Sequence, residues 1–555
     1  QMNFCQEAGF CLGNMTFDFR MLSDEISLNN WEIYTANSSF DADVKVMFSS
    51  MDDFSTPELL DIAIDIREMD VNTRDMIYFN PTLKVKETIQ MKGELSGSLK
   101  KLKAEDMQLS FGRGSYFFGN ATFKDVLDTD HIFMDLDVEK MGLLRRDIKR
   151  FASYGTQEFP EMLNTVGDIR FQGKFRGYLD EFFADGKIDT DIGEIDADLF
   201  FTYKNGDLDK AEYNGSLSLN AFDVGALIEN DLIGKVSLGI ELRGKGIDLE
   251  HIDAYLEGEV NALDLNGYNY HNVLIGGRLA TKKFTGSLEV NDANLEFDFN
   301  GNIDLAGAQP IFDFTLDIPF ADLYELHVVN ADSIAHLSTN IKINLAGDHI
   351  DNIDGELMVS YTTYETSENY YFFNDFKLNA QNVDSLRYIS LNSDMIKGSV
   401  TGEMKIAELA PVLQETLGRY FSAFEQQGDF AQQDFDINVE IFNTRPLTEI
   451  FMPELMLETG GSIVGQYKSN SNDLTLDFHS PGIRYGDMEV KDIRIESYTG
   501  DEAIELDFHS SAFYYSETGK IDSISYVSLL RSDTAFFEFD WLAGDSLYFN
   551  GNLGG

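Results

Sequence analysis

The chain is expected to fold as a mainly β protein: a long antiparallel sheet curled into a groove, with a few short amphipathic helices. Three observations carry this expectation. Apolar residues alternate with carboxylates or small polar residues over hundreds of positions, as in Leu295, Phe297 and Phe299 interleaved with Glu296, Asp298 and Asn300. Successive side chains on a strand point to opposite faces, so the pattern makes a sheet with one apolar and one acidic face. Glycine, 45 residues in all, recurs at turns where it supplies positive φ, while proline is held to 9, as a continuous backbone ladder requires. The aromatic share is mostly Phe (44) and Tyr (24), which favour strands.

Taken in order, residues 1–90 read as an N-terminal β segment of this sheet, 91–430 as its repetitive core and 431–555 as its continuation. Glycine-opened strands begin at Gly93, Gly173, Gly277, Gly355, Gly398 and Gly461 after polar turns such as Lys204-Asn205-Gly206-Asp207. The two-faced pattern recurs in Val236, Leu238, Ile240 and Leu242, in Leu474, Leu476 and Phe478, and in Ile504, Leu506 and Phe508. Amphipathic helices are expected over 139–151 (Met141, Leu144, Ile148, Phe151), 221–229 (Phe222, Leu227, Ile228) and 319–328 (Pro319 at its start). Two more are expected over 411–424 (Leu413, Leu417, Tyr420, Phe421, Phe424) and from Pro446 to Met452. The first four start roughly 80 to 100 residues apart, which reads as a degenerate repeat of several strands and one helix. At about 12 to 18 residues per strand and turn, the chain holds roughly 30 to 45 strands.

Composition narrows the function. With 96 acidic and 42 basic residues the formal charge is −54, which repels nucleic-acid backbones and leaves no basic cluster for anionic headgroups. Contact with lipid must then go through acyl chains. Cys5 and Cys11, the only cysteines, cannot hold 555 residues together, although they can pair in an oxidising compartment or remain thiols. No stretch resembles a membrane-spanning helix or a signal peptide, and the abrupt ends favour a fragment.

A twisted sheet of this length must curl. Curled with the apolar face inward, it is a trough for acyl chains; curled outward, the same alternation makes a transmembrane β-barrel; sealed against a second sheet, it is a dry stalk. Interrupting helices, the excess of negative charge and the lack of a closing aromatic strand favour the inward curl.

The segment Gly93-Glu94-Leu95-Ser96-Gly97-Ser98-Leu99, with Leu102-Lys103-Ala104, Leu109-Ser110-Phe111-Gly112 and Tyr116-Phe117-Phe118-Gly119-Asn120, resembles the TamB proteins of the AsmA-like group. So do Leu265-Asn266-Gly267-Tyr268-Asn269-Tyr270-His271-Asn272, Gly286-Ser287-Leu288, Asp292-Ala293-Asn294-Leu295 and the run from His349 to Gly355. The resemblance covers most of 75–430 and lies in the order of loose motifs. It implies a β-taco in the periplasm of a Gram-negative bacterium, bridging inner and outer membranes and carrying phospholipid. It also implies an insertase-type outer-membrane β-barrel as partner, reached through regions that no residue here matches. The group is associated with outer-membrane protein assembly as well, which leaves a scaffold or chaperone-like role open.

Nothing in the chain reads as catalysis, a metal site or a cofactor site. The eight histidines lack ligand spacing, serines lack a G-x-S-x-G context, and Asp189, Asp191, Asp196 and Asp198 place Glu194 where a calcium loop needs glycine. The expected groove lining is Leu238, Ile240, Leu242, Leu295, Phe297, Phe299, Leu474, Leu476 and Phe478, each of which also suits a dry core.

Overall fold

A computed structural model describes residues 4–5, 11–76, 87–128, 131–152, 162–203, 207–247, 250–330, 332–420, 432–452, 454–471, 473–500, 503–516, 519–531, 534–543 and 547–554. The chain divides into two compact units, Gln1–Thr281 and Lys282–Gly555. The sequence boundary at 90/91 lies inside a strand, and that at 430/431 lies outside the described residues.

The first unit opens with β1 (Phe4–Cys5), β2 (Cys11–Met21), β3 (Glu25–Thr35), β4 (Ser39–Met47) and β5 (Asp61–Asn72). Helix α1 (Thr73–Met76) precedes β6 (Thr88–Ser98), β7 (Lys101–Phe111), β8 (Ser115–Lys124) and β9 (Phe133–Leu143). Helices α2 (Arg145–Ala152) and α3 (Met162–Val166) lead to β10 (Ile169–Gly177), β11 (Glu181–Thr190), β12 (Gly193–Thr202) and β13 (Glu212–Asp223). After α4 (Val224–Ile228) come β14 (Ile233–Lys245), β15 (Asp253–Leu265) and β16 (Tyr268–Ala280). Every strand pairs antiparallel with its sequence neighbours, so the unit is a simple meander.

The second unit runs through β17 (Lys283–Asn291), β18 (Leu295–Asp304), β19 (Ile311–Asp322), β20 (Ala335–Ala346) and β21 (Asp354–Thr366). It continues with β22 (Tyr370–Val383), β23 (Leu386–Ser393), β24 (Ile396–Glu403), α5 (Leu409–Tyr420), β25 (Asp434–Ile441) and α6 (Arg445–Phe451). The last strands are β26 (Leu455–Leu457), β27 (Gly461–Lys468), β28 (Asp473–Tyr485), β29 (Met488–Thr499), β30 (Ile504–Tyr514), β31 (Lys520–Arg531), β32 (Thr534–Ala543) and β33 (Leu547–Gly554). One detour breaks the meander: β25 pairs with β27, while short β26 borders the far half of β28.

The mainly β, antiparallel fold with few short helices is therefore as expected. Within each unit the ladder is open: among the described residues, the first and last strands do not pair with one another. That openness replaces the aromatic-strand argument against a barrel, which fails, since β32 and β33 carry Phe536, Phe537, Phe539, Trp541, Tyr548 and Phe549. Among the described residues no helix is long and apolar enough to cross a membrane.

Bulges bend the strands. In β3, β7 and β13 the apolar alternation slips by one residue, and Asn30, Asp106 and Ala221 adopt φ of 48°, 51° and 47°. Such an insertion kinks the strand and increases its twist. The amide at each slip is satisfied from the following strand: Asn30 donates to Asp43 Oδ1 at 2.6 Å, Asp106 to Asn120 Oδ1 at 2.8 Å and Ala221 to Ser237 Oγ at 2.9 Å.

Three expected helices need correction. Residues 139–143 stay in β9, so Met141 is a sheet residue and α2 starts only at Arg145. Phe222 belongs to β13 after its bulge, leaving α4 with five residues capped by Asp223 and closed by Glu229 in the left-handed region. No helix forms over 319–328: β19 carries its alternation through Phe320 to Asp322, with Pro319 at a bulge where no ladder bond is lost. The regular helix spacing goes with it. The helix expected over 411–424 spans Leu409–Tyr420, with Phe421 and Phe424 outside the described residues, and α6 begins one residue before Pro446.

Candidate functional site

The strand registers align the apolar alternation into rows that cross the sheet. In the first unit one row passes through Met15, Ile33, Phe40, Met69 and Met91 on β2–β6, then Leu109, Phe117 and Met141 on β7–β9. It continues through Phe171, Ile188, Ile195, Leu219, Leu238, Val260 and Val273 on β10–β16 without a polar interruption. At about 4.8 Å per strand, this row is roughly 65–70 Å long.

Its accessibility decides what it can do. Of the fifteen side chains only Val273, 6% exposed, is buried; the other fourteen are half-buried. A sandwich core would exclude water from such residues. Here the in-sheet neighbours cover their flanks while their tips stay accessible, so among the described residues no second layer seals this face. Fully buried apolar side chains form small clusters where the bulges draw strands together, as around Ala42, Val44 and Ile66 and around Ala104, Met107 and Ala121.

Of the expected lining residues, Leu238 lies in that row, opposite Leu219 and Val260, with Ile240 and Leu242 on the same face of β14. All three are half-buried. In the second unit Leu295, Phe297 and Phe299 share the apolar face of β18; Phe299 is 8% exposed between Phe284 and Phe314, at ring distances of 6.0 and 5.0 Å. Phe478 belongs to a further row, Val439, Ile463, Phe478, Ile495, Phe508 and Tyr526, and Leu476 lies beside it. Three of the nine thus lie together on β14 in the first unit, and the other six fall on two separate strands of the second, β18 and β28.

Leu474 is different, because α5 lies over it. The helix packs Tyr420 into a cluster with Ile504, Leu530 and Ala535, against which Leu474 and Leu417 rest. Thr416 Oγ1 is 2.6 Å from the hydroxyl of Tyr467, itself 1% exposed, and Tyr420 donates to the Gly500 carbonyl at 3.1 Å. At its other end Asp351 accepts from the amides of Ile406 and Ala407 just before the helix, and also meets the buried Arg387 at 3.4 Å. A twelve-residue helix is about 18 Å long, the width of roughly four strands. Its partners run from Tyr467 on β27 through Ile504 on β30 to Leu530 on β31 and Ala535 on β32, so it walls that side of the sheet and leaves the Phe478 row as floor.

The opposite face is wetted and acidic. Asp189, Asp191, Asp196 and Asp198 are exposed, with Asp196 3.8 Å from Lys187 Nζ. His336 sits between Asp322 (3.5 Å) and Glu365 (3.4 Å) at a strand end. Arg67 bridges Asp41 and Asp43, and Arg278 binds Asp253 through two contacts of 2.7 and 2.8 Å. Exposed pairs of this kind keep the face ordered and soluble while contributing little stability each.

Cys11 is in a disulfide, and the only other cysteine, Cys5, stands directly across from it in the β1–β2 ladder. No family model, curated protein or solved structure matches the chain.

Proposed function

We propose that this protein carries the acyl chains of phospholipids along the apolar face of its sheet, in the manner implied by its resemblance to the TamB proteins. The observation that carries the reading is the half-buried row from Met15 to Val273: a continuous hydrocarbon surface with accessible tips, on a chain of net charge −54. Each buried methylene is worth about 0.8 kcal/mol. A tail lying across successive, near-equivalent rows is held firmly in sum and slides between registers with little change in free energy. A uniform track suits transport better than a deep pocket.

The disulfide at Cys11 favours an oxidising compartment, as a periplasmic bridge between two membranes would occupy. Anchoring at either membrane and docking to an insertase-type barrel belong, on this reading, to partners or regions that the resemblance implies. Native mass spectrometry of the purified chain tests the proposal. Phospholipid should co-purify, and Leu238→Asp with Ile240→Asp should lower the bound amount without abolishing the β signal in circular dichroism. A folded, lipid-free protein after extraction from a phospholipid-rich envelope would refute it.

A further inference from the structure

The two rims of the first unit are built differently. In a meander, alternate connections fall on opposite rims, so the turns after β5, β9 and β13 share one rim and those after β2, β4, β8, β10 and β14 share the other. Among the described residues the four α-helices of this unit, α1 to α4, all lie on the first rim. They are tied into a chain. Asp75 on α1 accepts from Thr35, Asn37 and Ser38; Arg150 on α2 pairs with Glu87; and Arg145 donates to the Asn164 carbonyl of α3 at 2.7 Å. Asp147 of α2, 1% exposed, fastens the β7–β8 turn by accepting from Arg113 N, Ser115 N and Ser115 Oγ.

The second rim consists of turns and short 3-10 helical segments (Met51–Ser55, Pro57–Leu59 and Leu208–Lys210), and its connections expose large apolar side chains in an otherwise acidic protein. Leu22, Phe54, Leu127, Leu179 and Ile247, each from a different turn, are at least 40% exposed. On the helical rim, among the described residues, the connecting segments expose only two large apolar side chains, Ile228 at the end of α4 and Leu232 just after it. The apolar tips are continuous with the groove face: Val44 and Val46 lead to Phe48, 5% exposed, on which Phe54 packs edge-on at 5.1 Å. Apolar side chains at the edge of an apolar face give hydrocarbon a surface to cross between bilayer and groove.

We propose that acyl chains enter and leave the first unit sideways over this turn rim, along its length, instead of only at the ends of the sheet; the inference rests on the lipid-carrier reading. The lip lowers the cost of a tail passing from bilayer to groove, and the helix chain closes the other side. The test follows uptake of a phospholipid with a fluorescent acyl chain from phosphatidylcholine vesicles by the purified full chain. Leu179→Asp with Ile247→Asp should slow loading several-fold and leave the amount bound at equilibrium unchanged, because the lip is crossed but not occupied. Ile228→Asp with Leu232→Asp, on the helical rim, should load at the unaltered rate. Equal rates for both double variants and the parent would overturn lateral entry while keeping the carrier. A parent chain that takes up no lipid would overturn the carrier reading and this inference with it.

Discussion

Asp75 shows how single carboxylates hold the helical rim. Burial alone would raise its pKa, but hydrogen bonds from Ser38, Thr35 and Asn37 outweigh that and hold it below the usual carboxylate range. A depressed folded-state pKa contributes stability that is present above the unfolded value of about 3.9 and is lost as pH falls through the folded value. Asp75→Asn should therefore cost about 1–3 kcal/mol near neutral pH, with the gap to the parent closing in strongly acid solution. Paired urea titrations across pH check this; a gap independent of pH would remove the ionised carboxylate from the account. The bulges are a second residue-scale feature. They were legible as a slip of one in the alternation, as in Leu102, Ala104, Met107 and Leu109, where two polar residues separate apolar ones. The acceptors that satisfy the slipped amides, Asp43, Asn120 and Ser237, were not legible, because they lie on other strands and are matched only by register.

Among elements, the strands could be read from sequence because a period of two needs nothing beyond a few residues. Helices could not be read as well, since in short segments an apolar stripe also fits a bulged strand. Over 319–322 and 139–143 the sheet prevailed because continuing the ladder satisfies backbone groups that a one-turn helix leaves open. Helix α5 is long enough to hold, and its ties were invisible in sequence: Tyr467 is 51 residues from Thr416. Tyr467→Phe deletes one hydrogen bond to α5, about 1 kcal/mol, which is roughly fivefold in local opening. Hydrogen exchange within 409–420 should rise by that factor while β22 is unaffected; unchanged protection would show that packing of Tyr420, Ile504 and Leu530 alone holds the helix.

For the whole molecule, the sequence establishes two faces, and the structure adds that within each unit the apolar one crosses many strands in register, uncovered among the described residues along the first unit's long row and partly overlain by α5 in the second. Alternation alone could not separate trough, barrel and sealed stalk, because all three share a period of two. Among the described residues pairing closes no ring within either unit, and the accessible tips of the first unit's long row do not fit a sealed stalk there. The nine expected lining residues were chosen by alternation, which explains both their common face and the failure to foresee that α5 covers Leu474. The central claim is that hydrocarbon occupies one face and water the other. A photo-crosslinking residue at position 297 and, separately, at 298 compares the two faces one residue apart, since Phe297 is half-buried on the apolar side and Asp298 is exposed on the acidic side. Phospholipid adducts at 297 and none at 298 are the predicted result; equal yields at the two positions would contradict it.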